Sequence, residues 1–238
     1  YTFTDRGGRS LSLRPEGTAG VVRAFLNSGA RGPWKGSYSG PMFRHERPQA
    51  GRRRQFWEAG VAYRDVEGRA ADAVVVELGY RYLLAVEVPG LEVVLNSLGD
   101  AMCRPGYVDT LRDYLAERRG LLCDDSVSLI DVNPLRVLDC KVCAPVLADA
   151  PAMKDYLCEP CAVHYAQVRK SLESLEIPFI ENARLVRGLD YYTRTAFEYV
   201  ATDLEAAQNA VGGGGRYDGL AESIGGRRAP GVGFALGV

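Results

Sequence analysis

FRHERPQAGRRRQF, residues 43–56, sets five arginines and one glutamate between two phenylalanines. The flanking residues, SYSGPMF and QFWEAGVAYR, alternate in character, which predicts two β-strands joined by a loop that contains Pro48 and Gly51. Arg44 and Arg54 would lie on these strands, and strand alternation can aim both side chains at one face. The stretch therefore predicts a strand–loop–strand unit with a concentrated positive charge.

The rest of the chain is balanced in charge. Its 238 residues include 29 lysines and arginines and 30 aspartates and glutamates, for a formal net charge of −1. This near-neutral total argues against a general nucleic-acid coat protein, so any basic surface must be local. A composition of 47% hydrophobic and 25% charged residues is typical of a soluble globular protein.

No run of about 18 apolar residues occurs, so we expect no membrane span and a cytoplasmic protein. The first residues, YTFTDRGGRS, lack the apolar region of a signal peptide. Both ends of the chain fall inside predicted structural elements, and we therefore expect a fragment of a longer protein.

Strand and helix signals divide the chain into three parts. Residues 1–104 read as a hairpin, a helix, the strand–loop–strand unit, a second helix and a strand. Residues 105–176 are mainly helical, and strand signals return in residues 177–238. The predicted fold class is therefore α+β, with a mainly antiparallel sheet flanked by helices and interrupted by a helical insertion.

The arginine-rich loop has three interpretations. It can be a solvated surface loop, a nonspecific nucleic-acid patch or a site for a polyphosphate. Guanidinium groups bind phosphate through two hydrogen bonds and stay charged. Glu46 lies among the arginines and can accept a hydrogen bond from an exocyclic amine. The combination favours a nucleoside triphosphate over bare nucleic acid.

The same loop resembles motif 2 of the class II aminoacyl-tRNA synthetases, in the form found in the histidyl-tRNA synthetase family. Other segments resemble that family in the same order along the chain. They are LRPEGTA (13–19), LVRGLDYYTRTAFE (185–198), GGGRYDGL (213–220) and APGVGFALGV (229–238). Motif 1, which supports the family's dimer, and the anticodon-binding domain are expected outside this chain.

The resemblance implies an activity. Histidine and ATP would form histidyl-adenylate, and the histidyl group would pass to tRNA(His), with Mg²⁺ bridging the β- and γ-phosphates of ATP. Arg44 and Arg187 are the implied catalytic residues, because both would hold the α-phosphate. The implied ATP-binding residues are Arg44, Glu46, Arg52 and Arg54. A homodimer formed through segments outside this chain is also implied.

The resemblance further implies a histidine-binding site. In this site Glu16 and Thr18 bind the α-amino group of histidine, and Tyr192 forms a hydrogen bond with the imidazole. The implied histidine-binding residues are Glu16, Thr18, Glu58, Arg187, Tyr191, Tyr192 and Tyr217. For each tyrosine the competing interpretation is a core aromatic whose hydroxyl is satisfied within the protein.

Two positions depart from the family's usual residues. Glu58 stands where glutamine is usual, and Ala62 stands where a glutamate would accept a hydrogen bond from the imidazole. Ala62 keeps open a second hypothesis from another class, a non-catalytic paralogue that acts as a regulatory subunit of ATP phosphoribosyltransferase.

The chain has six cysteines. The spacing of Cys140, Cys143, Cys158 and Cys161, two CxxC pairs, predicts a structural four-cysteine zinc site. Reduced thiols without a structural role are the competing interpretation, and a zinc-containing nucleic-acid-binding module is a third functional hypothesis. Cys103 and Cys123 show no pairing pattern, and His164 is expected at the surface rather than on the metal.

Overall fold

The computed structural model describes residues 1–45, 52–64, 66, 68–188, 190–204 and 209–238, with Arg69 described by its backbone only. The strands are β1 (Thr2–Thr4), β2 (Ser10–Ser12), β3 (Trp34–Phe43), β4 (Gln55–Arg64), β5 (Leu91–Ser97), β6 (Phe179–Glu181), β7 (Thr193–Ala201), β8 (Ala210–Arg216) and β9 (Gly231–Gly237). The α-helices are α1 (Thr18–Asn27), α2 (Arg69–Ala85), α3 (Arg104–Glu117), α4 (Asp124–Leu129), α5 (Glu159–Ser174) and α6 (Leu220–Ser223). Short 3₁₀ helices cover Arg119–Leu121, Pro134–Asp139 and Met153–Tyr156.

Seven strands form one sheet in the order β3-β4-β9-β8-β7-β5-β6. Every neighbouring pair is antiparallel except β5 and β6, which are parallel. β1 and β2 pair separately as the expected N-terminal hairpin. The prediction of a mainly antiparallel sheet with flanking helices is confirmed, and none of the described helices has the length and apolar character needed to cross a membrane.

One face of the sheet carries the main hydrophobic core. Strand alternation sends Phe197, Tyr199, Phe234 and Leu236 to this face, where they pack against α2 and α5. Full burial of one such side chain contributes about 1.5–3 kcal/mol. Because this face is closed by two helices, the opposite face is the one left for a ligand.

The inserted segment has a core of its own. Tyr107, Leu111 and Leu115 on α3 pack against Ile130 and Val137. Helix α5 follows this core along the chain, and the apolar residues of its later turns join the main core under the sheet. The insertion is thus a small subdomain that leaves the sheet after β5 and returns to it at α5.

The prediction that His164 lies at the surface is wrong, because only 7% of this residue is exposed. Its Nε2 atom lies 3.3 Å from Asp72 Oδ1 and 3.1 Å from Thr195 Oγ1. His164 shares a helical face with Val168 and Leu172, and that face of α5 packs against α2 and the sheet.

Asp72 is the centre of a buried polar network. Its carboxylate accepts hydrogen bonds from Arg216 Nε at 3.1 and 3.2 Å, and both side chains are almost fully buried. Arg216 also donates to Asp218 Oδ1 at 2.9 Å. Burial opposes ionisation of Asp72, but the hydrogen bond from His164 and the charge of Arg216 outweigh it and lower its pKa. The network joins α2, α5 and β8 across the main core.

We predict that Asp72→Asn lowers the free energy of unfolding by about 3–5 kcal/mol, because it leaves the Arg216 charge buried without its partner. Since the folded-state pKa of Asp72 is lowered, its contribution is present above the unfolded pKa and is lost as pH falls through the folded value. Urea unfolding of the full-length protein between neutral and acidic pH measures both effects.

The matched control is Asp109→Asn, which removes a carboxylate that is 72% exposed and pairs with Arg112. This change should alter stability by less than about 1 kcal/mol. Equal losses of unfolding free energy in the two variants would contradict the proposed contribution of the buried network to stability.

Candidate active site

Small residues line the sheet face opposite α2 and α5. Strand register aligns them in two rows, one containing Gly213, Ala235 and Gly60 and the other containing Gly215, Gly233 and Ala62. A Cβ atom on Gly213 would lie 2.7 Å from Phe197 O and 2.8 Å from Arg187 Nη1, and one on Gly215 would lie 2.4 Å from Thr195 O. We call these six residues the floor, since other groups approach the backbone closely there.

Three tyrosines stand together at one end of the floor. The ring centroids of Tyr191 and Tyr192 are 4.7 Å apart, and those of Tyr191 and Tyr217 are 5.8 Å apart. Tyr192 lies over Gly215, and the Tyr217 hydroxyl lies over Gly233. Burial raises the pKa of Tyr192 and of Tyr217, so both hydroxyls keep their protons. The structure thus brings the three predicted tyrosines into one polar aromatic cluster.

Glu16 reaches the same cluster from the start of α1. Its carboxylate accepts hydrogen bonds from the backbone amides of Thr18 at 2.6 Å and Ala19 at 3.1 Å, which places a negative charge at the helix N-terminus. The Tyr191 hydroxyl lies 3.4 Å from Glu16 Oε2, and the Thr18 side chain interacts with the Tyr191 hydroxyl. Glu16 and Thr18 therefore lie beside the tyrosines, and their contact with the α-amino group of histidine stays a prediction.

Arg44 and Glu58 form an ion pair at the other end of the floor. Arg44 Nη2 lies 3.5 Å from Glu58 Oε2, and Arg44 Nε donates to Pro15 O at 2.9 Å. Glu58 Oε1 accepts hydrogen bonds from Tyr38 at 2.8 Å and from the Gly17 amide at 3.2 Å. The arginine is thereby held between β4 and the loop before α1.

Glu58 is a buried carboxylate at the edge of the floor, with 4% of the residue exposed. Burial raises its pKa, although the hydrogen bond from Tyr38 and the charge of Arg44 oppose the rise. A neutral amide at this position would accept the same two hydrogen bonds without the cost of a buried charge.

Arg187 lies over Gly213 and pairs with Glu198, whose Oε1 atom is 2.5 Å from Arg187 Nη1. Its guanidinium carbon is 5.7 Å from the Tyr192 ring. Burial raises the pKa of Asp139, and the positive charges that oppose this rise include Arg187 and Arg52. Two arginines from distant parts of the chain are therefore both within electrostatic range of one carboxylate of the insertion.

The remaining predicted ATP-binding residues belong to the segment that connects β3 to β4. Arg52 and Arg54 are exposed, and the Arg54 carbonyl accepts a hydrogen bond from the Arg44 amide at 2.9 Å. Glu46 lies outside the described residues, so its predicted contact with adenine stays a prediction.

Sequence reasoning missed several residues at this site. Glu198 pairs with Arg187, Asp139 interacts electrostatically with it, and Tyr38 donates a hydrogen bond to Glu58. Buried Arg64 stacks on Tyr217, with 5.1 Å between its guanidinium carbon and the ring centroid. Strand alternation places Arg64 on the same face of β4 as Glu58, and this signal was available in the sequence.

The structure does not bring the four predicted zinc ligands, Cys140, Cys143, Cys158 and Cys161, together in one group. Cys140 and Cys143 group with Cys123, whereas Cys158 and Cys161 group with Asp100 and Cys103. Cys140 and Cys143 follow a 3₁₀ helix that packs near α4, while Cys158 and Cys161 begin α5 at the base of the insertion. The CxxC spacing identifies each local pair but does not determine which other residues complete its site.

A mainly antiparallel sheet that carries arginines from two segments above a floor of small residues is the arrangement of a class II aminoacyl-tRNA synthetase core. The family profile described as histidyl-tRNA synthetase matches residues 1–102 and 141–238. The chain belongs to the histidyl-tRNA synthetase family.

Individual relatives agree with this assignment. The chain is 51% identical over 241 residues to a histidine–tRNA ligase of Anaeromyxobacter sp. (strain K) and 49% identical over 243 residues to one of Halothermothrix orenii. In both comparisons all of this chain is covered and 58% of the relative. The chain thus spans just under three-fifths of the length of these curated relatives.

Solved structures give the same fold. The crystal structure of apo S. aureus histidyl-tRNA synthetase matches with a TM-score of 0.78 and 37% identity, covering 100% of this chain and 58% of that one. A protein from Bacillus halodurans C, described as an ATP phosphoribosyltransferase regulatory subunit/histidyl-tRNA synthetase, matches with a TM-score of 0.70 and 20% identity. This match covers 100% of this chain and 65% of that one, and at this identity it shows the fold alone.

We predict that Glu58→Gln raises stability at neutral pH, because it removes a buried carboxylate whose pKa is raised. The ionised Glu58 disfavours folding, so its effect is absent below the unfolded pKa and grows as pH rises through the folded value. Chemical denaturation of both proteins across this range should show a smaller loss of stability with rising pH in the variant.

Glu117→Gln is the control, since the Glu117 side chain is 76% exposed. The variant should follow the parent at every pH. A Glu58→Gln protein with an unchanged pH profile would mean that burial does not perturb this carboxylate.

Proposed function

We propose that the protein containing this chain is a histidine–tRNA ligase. It activates histidine with ATP to histidyl-adenylate and transfers the histidyl group to the 3′ end of tRNA(His). The observation that carries the proposal is the placement of Arg44 and Arg187 on either side of one glycine-lined floor that ends in a cluster of tyrosines. Gly213 and Gly60 are separated by two inter-strand spacings, about 10 Å.

Histidine fits the end of the floor with the three tyrosines. Tyr191 and Tyr192 supply aromatic surface and hydroxyl groups for the imidazole, and Tyr217 closes the pocket below them. The carboxylate of Glu16, with Thr18 beside it, suits the positively charged α-amino group. The carboxylate of histidine then points along the floor toward Arg44 and Arg187.

Activation is an in-line displacement at the α-phosphorus of ATP. A carboxylate oxygen of histidine forms a bond to this phosphorus, and the bond to the bridging oxygen breaks, which releases pyrophosphate. Negative charge increases on the phosphoryl oxygens in the transition state. Arg44 and Arg187 approach these oxygens from opposite sides and stabilise the charge.

The exposed guanidinium groups of Arg52 and Arg54 suit the β- and γ-phosphates of ATP. Mg²⁺ would be held mainly by the substrate phosphates and would supply positive charge that neutralises them. Glu46 is proposed to bind the adenine amine. Transfer to tRNA(His), dimer formation through segments outside this chain and a cytoplasmic location belong to the same proposal.

Ala62 favours a second candidate, a regulatory paralogue that binds histidine without activating it. Position 62 lies on the floor beside Gly233 and contributes no acceptor for the imidazole. Histidine-dependent ATP–pyrophosphate exchange by the full-length protein distinguishes the two candidates. Exchange supports the ligase, and histidine binding without exchange supports the regulator.

We predict that Arg187→Gln and Arg44→Gln each lower kcat for pyrophosphate exchange by about 10²–10³-fold, the range found when one transition-state donor is removed. Steady-state exchange kinetics with varied histidine and ATP measure the change. The control is Arg81→Gln on α2, where the side chain is 60% exposed and pairs with Glu77. Full activity in either test variant would exclude that arginine from the chemical step.

We predict that Ala62→Glu lowers the KM for histidine, because the new carboxylate would accept a hydrogen bond from the imidazole beside Tyr217. A hydrogen bond to a charged group contributes about 1.5–3 kcal/mol, which corresponds to a change of about tenfold or more. Ala62→Gln has nearly the same shape without the charge and should gain less. An unchanged or higher KM in Ala62→Glu would show that position 62 does not face the imidazole.

A further inference from the structure

Four potential ligands meet at the base of the insertion, and we call them the neck site: Asp100, Cys103, Cys158 and Cys161. One ligand atom from each residue lies within 4.8 Å of all the others. Cys103 Sγ and Cys158 Sγ are 3.6 and 3.8 Å from Asp100 Oδ1. A tetrahedral zinc ion with Zn–S bonds of about 2.3 Å and Zn–O bonds of about 2.0 Å separates neighbouring ligands by about 3.5–3.8 Å.

The ligands come as two short-spaced pairs. Asp100 and Cys103 form a DxxC pair that ends at the start of α3, and Cys158 and Cys161 form a CxxC pair at the start of α5. The Asp100 amide donates a hydrogen bond to Cys103 Sγ at 3.3 Å. Two such pairs facing each other are the usual framework of a structural zinc site.

We propose that the neck site binds one structural Zn²⁺ through three thiolates and one carboxylate. Four protein ligands leave no open coordination position, so the ion serves the fold rather than catalysis. Thiolate sulfurs favour zinc over magnesium and calcium, which prefer oxygen ligands.

The surroundings of the neck site compensate its charge. Three thiolates, one carboxylate and a divalent cation leave two negative charges. Arg194 Nη2 lies 3.4 Å from Asp100 Oδ2, and Arg104 interacts electrostatically with Cys103, Asp100 and Cys161. The N-termini of α3 and α5, capped by Cys103 and Cys158, add partial positive charge. Partners of this kind hold metal ligands in place in known sites.

The neck site lies at the base of the insertion, where a bound metal ion would contribute most to the stability of this subdomain. Residues 104–157 contain one 14-residue helix and otherwise only a six-residue helix and short 3₁₀ turns. A subdomain of this size has a small core, and proteins of this kind often use metals or disulfides for stability. The proposed ion joins the residues where the chain enters and leaves this subdomain, and Cys103 and Cys161 already belong to its core.

A second group of cysteines provides an internal control. Cys123, Cys140 and Cys143 form the tip cluster, in which Cys123 Sγ is 3.7 Å from Cys140 Sγ and 3.6 Å from Cys143 Sγ. Cys140→Ser disrupts this cluster and would also disrupt a site made of the two CxxC pairs. Zinc that survives Cys140→Ser therefore belongs to the neck site.

The experiment measures zinc per chain by plasma mass spectrometry in the full-length protein purified with zinc present. We expect the Cys140→Ser variant to retain one equivalent, and the Cys140→Ser/Cys158→Ser double variant to lose it. Absence of zinc from the Cys140→Ser protein, or one retained equivalent in the double variant, would overturn the proposal.

Asp100→Cys tests the same site without removing a ligand. Its result therefore does not depend on whether a variant that lacks a ligand still folds. In the Cys140→Ser background it should keep one metal equivalent. After replacement of zinc by Co²⁺, it should show stronger thiolate-to-cobalt charge-transfer absorption than Cys140→Ser alone, because a fourth thiolate joins the ion. Unchanged absorption would place the cobalt away from Asp100 and overturn the proposal.

Discussion

The site depends on a steric constraint, the small size of the six floor residues on one face of three adjacent strands. Glycines and alanines on β4, β9 and β8 let other groups lie directly on the backbone, and Gly213 and Gly215 have no room for a Cβ atom. The opposite face of the same strands carries the large side chains of the main core. One sheet therefore has one face packed with large side chains and another whose small floor residues lie directly under Arg187 and Tyr192.

Two ion pairs position the arginine side chains beside the floor. Arg44 and Arg187 each have a carboxylate partner, Glu58 and Glu198, and burial raises the pKa of both carboxylates. In the proposed reaction, these pairs would hold the guanidinium groups in position before the substrate binds, which reduces the reorganisation needed when negative charge develops on a phosphate. The insertion contributes as well, since Asp139 lies within electrostatic reach of Arg187 and Arg52.

Sequence reasoning recovered the features that are encoded locally. Strands β3 and β4 and the mainly antiparallel sheet follow from alternation, whereas the grouping of Tyr191, Tyr192 and Tyr217 is what the family resemblance implies. It failed where the outcome depends on packing between distant segments. The burial of His164 requires knowing which face of α5 meets α2, and the division of the cysteines requires knowing where Asp100 and Cys123 lie. A CxxC pair has the same local geometry whichever partner it meets.

The central claim is that two arginines from distant segments enclose one reacting phosphorus atom above the floor. A crystal structure of the full-length protein with a non-hydrolysable histidyl-adenylate analogue tests it most directly. We predict that the phosphate mimic lies between the side chains of Arg44 and Arg187, above Gly213 and Ala235, with the imidazole among the three tyrosines. An analogue bound elsewhere, or with either guanidinium turned away from the phosphate mimic, would contradict the account.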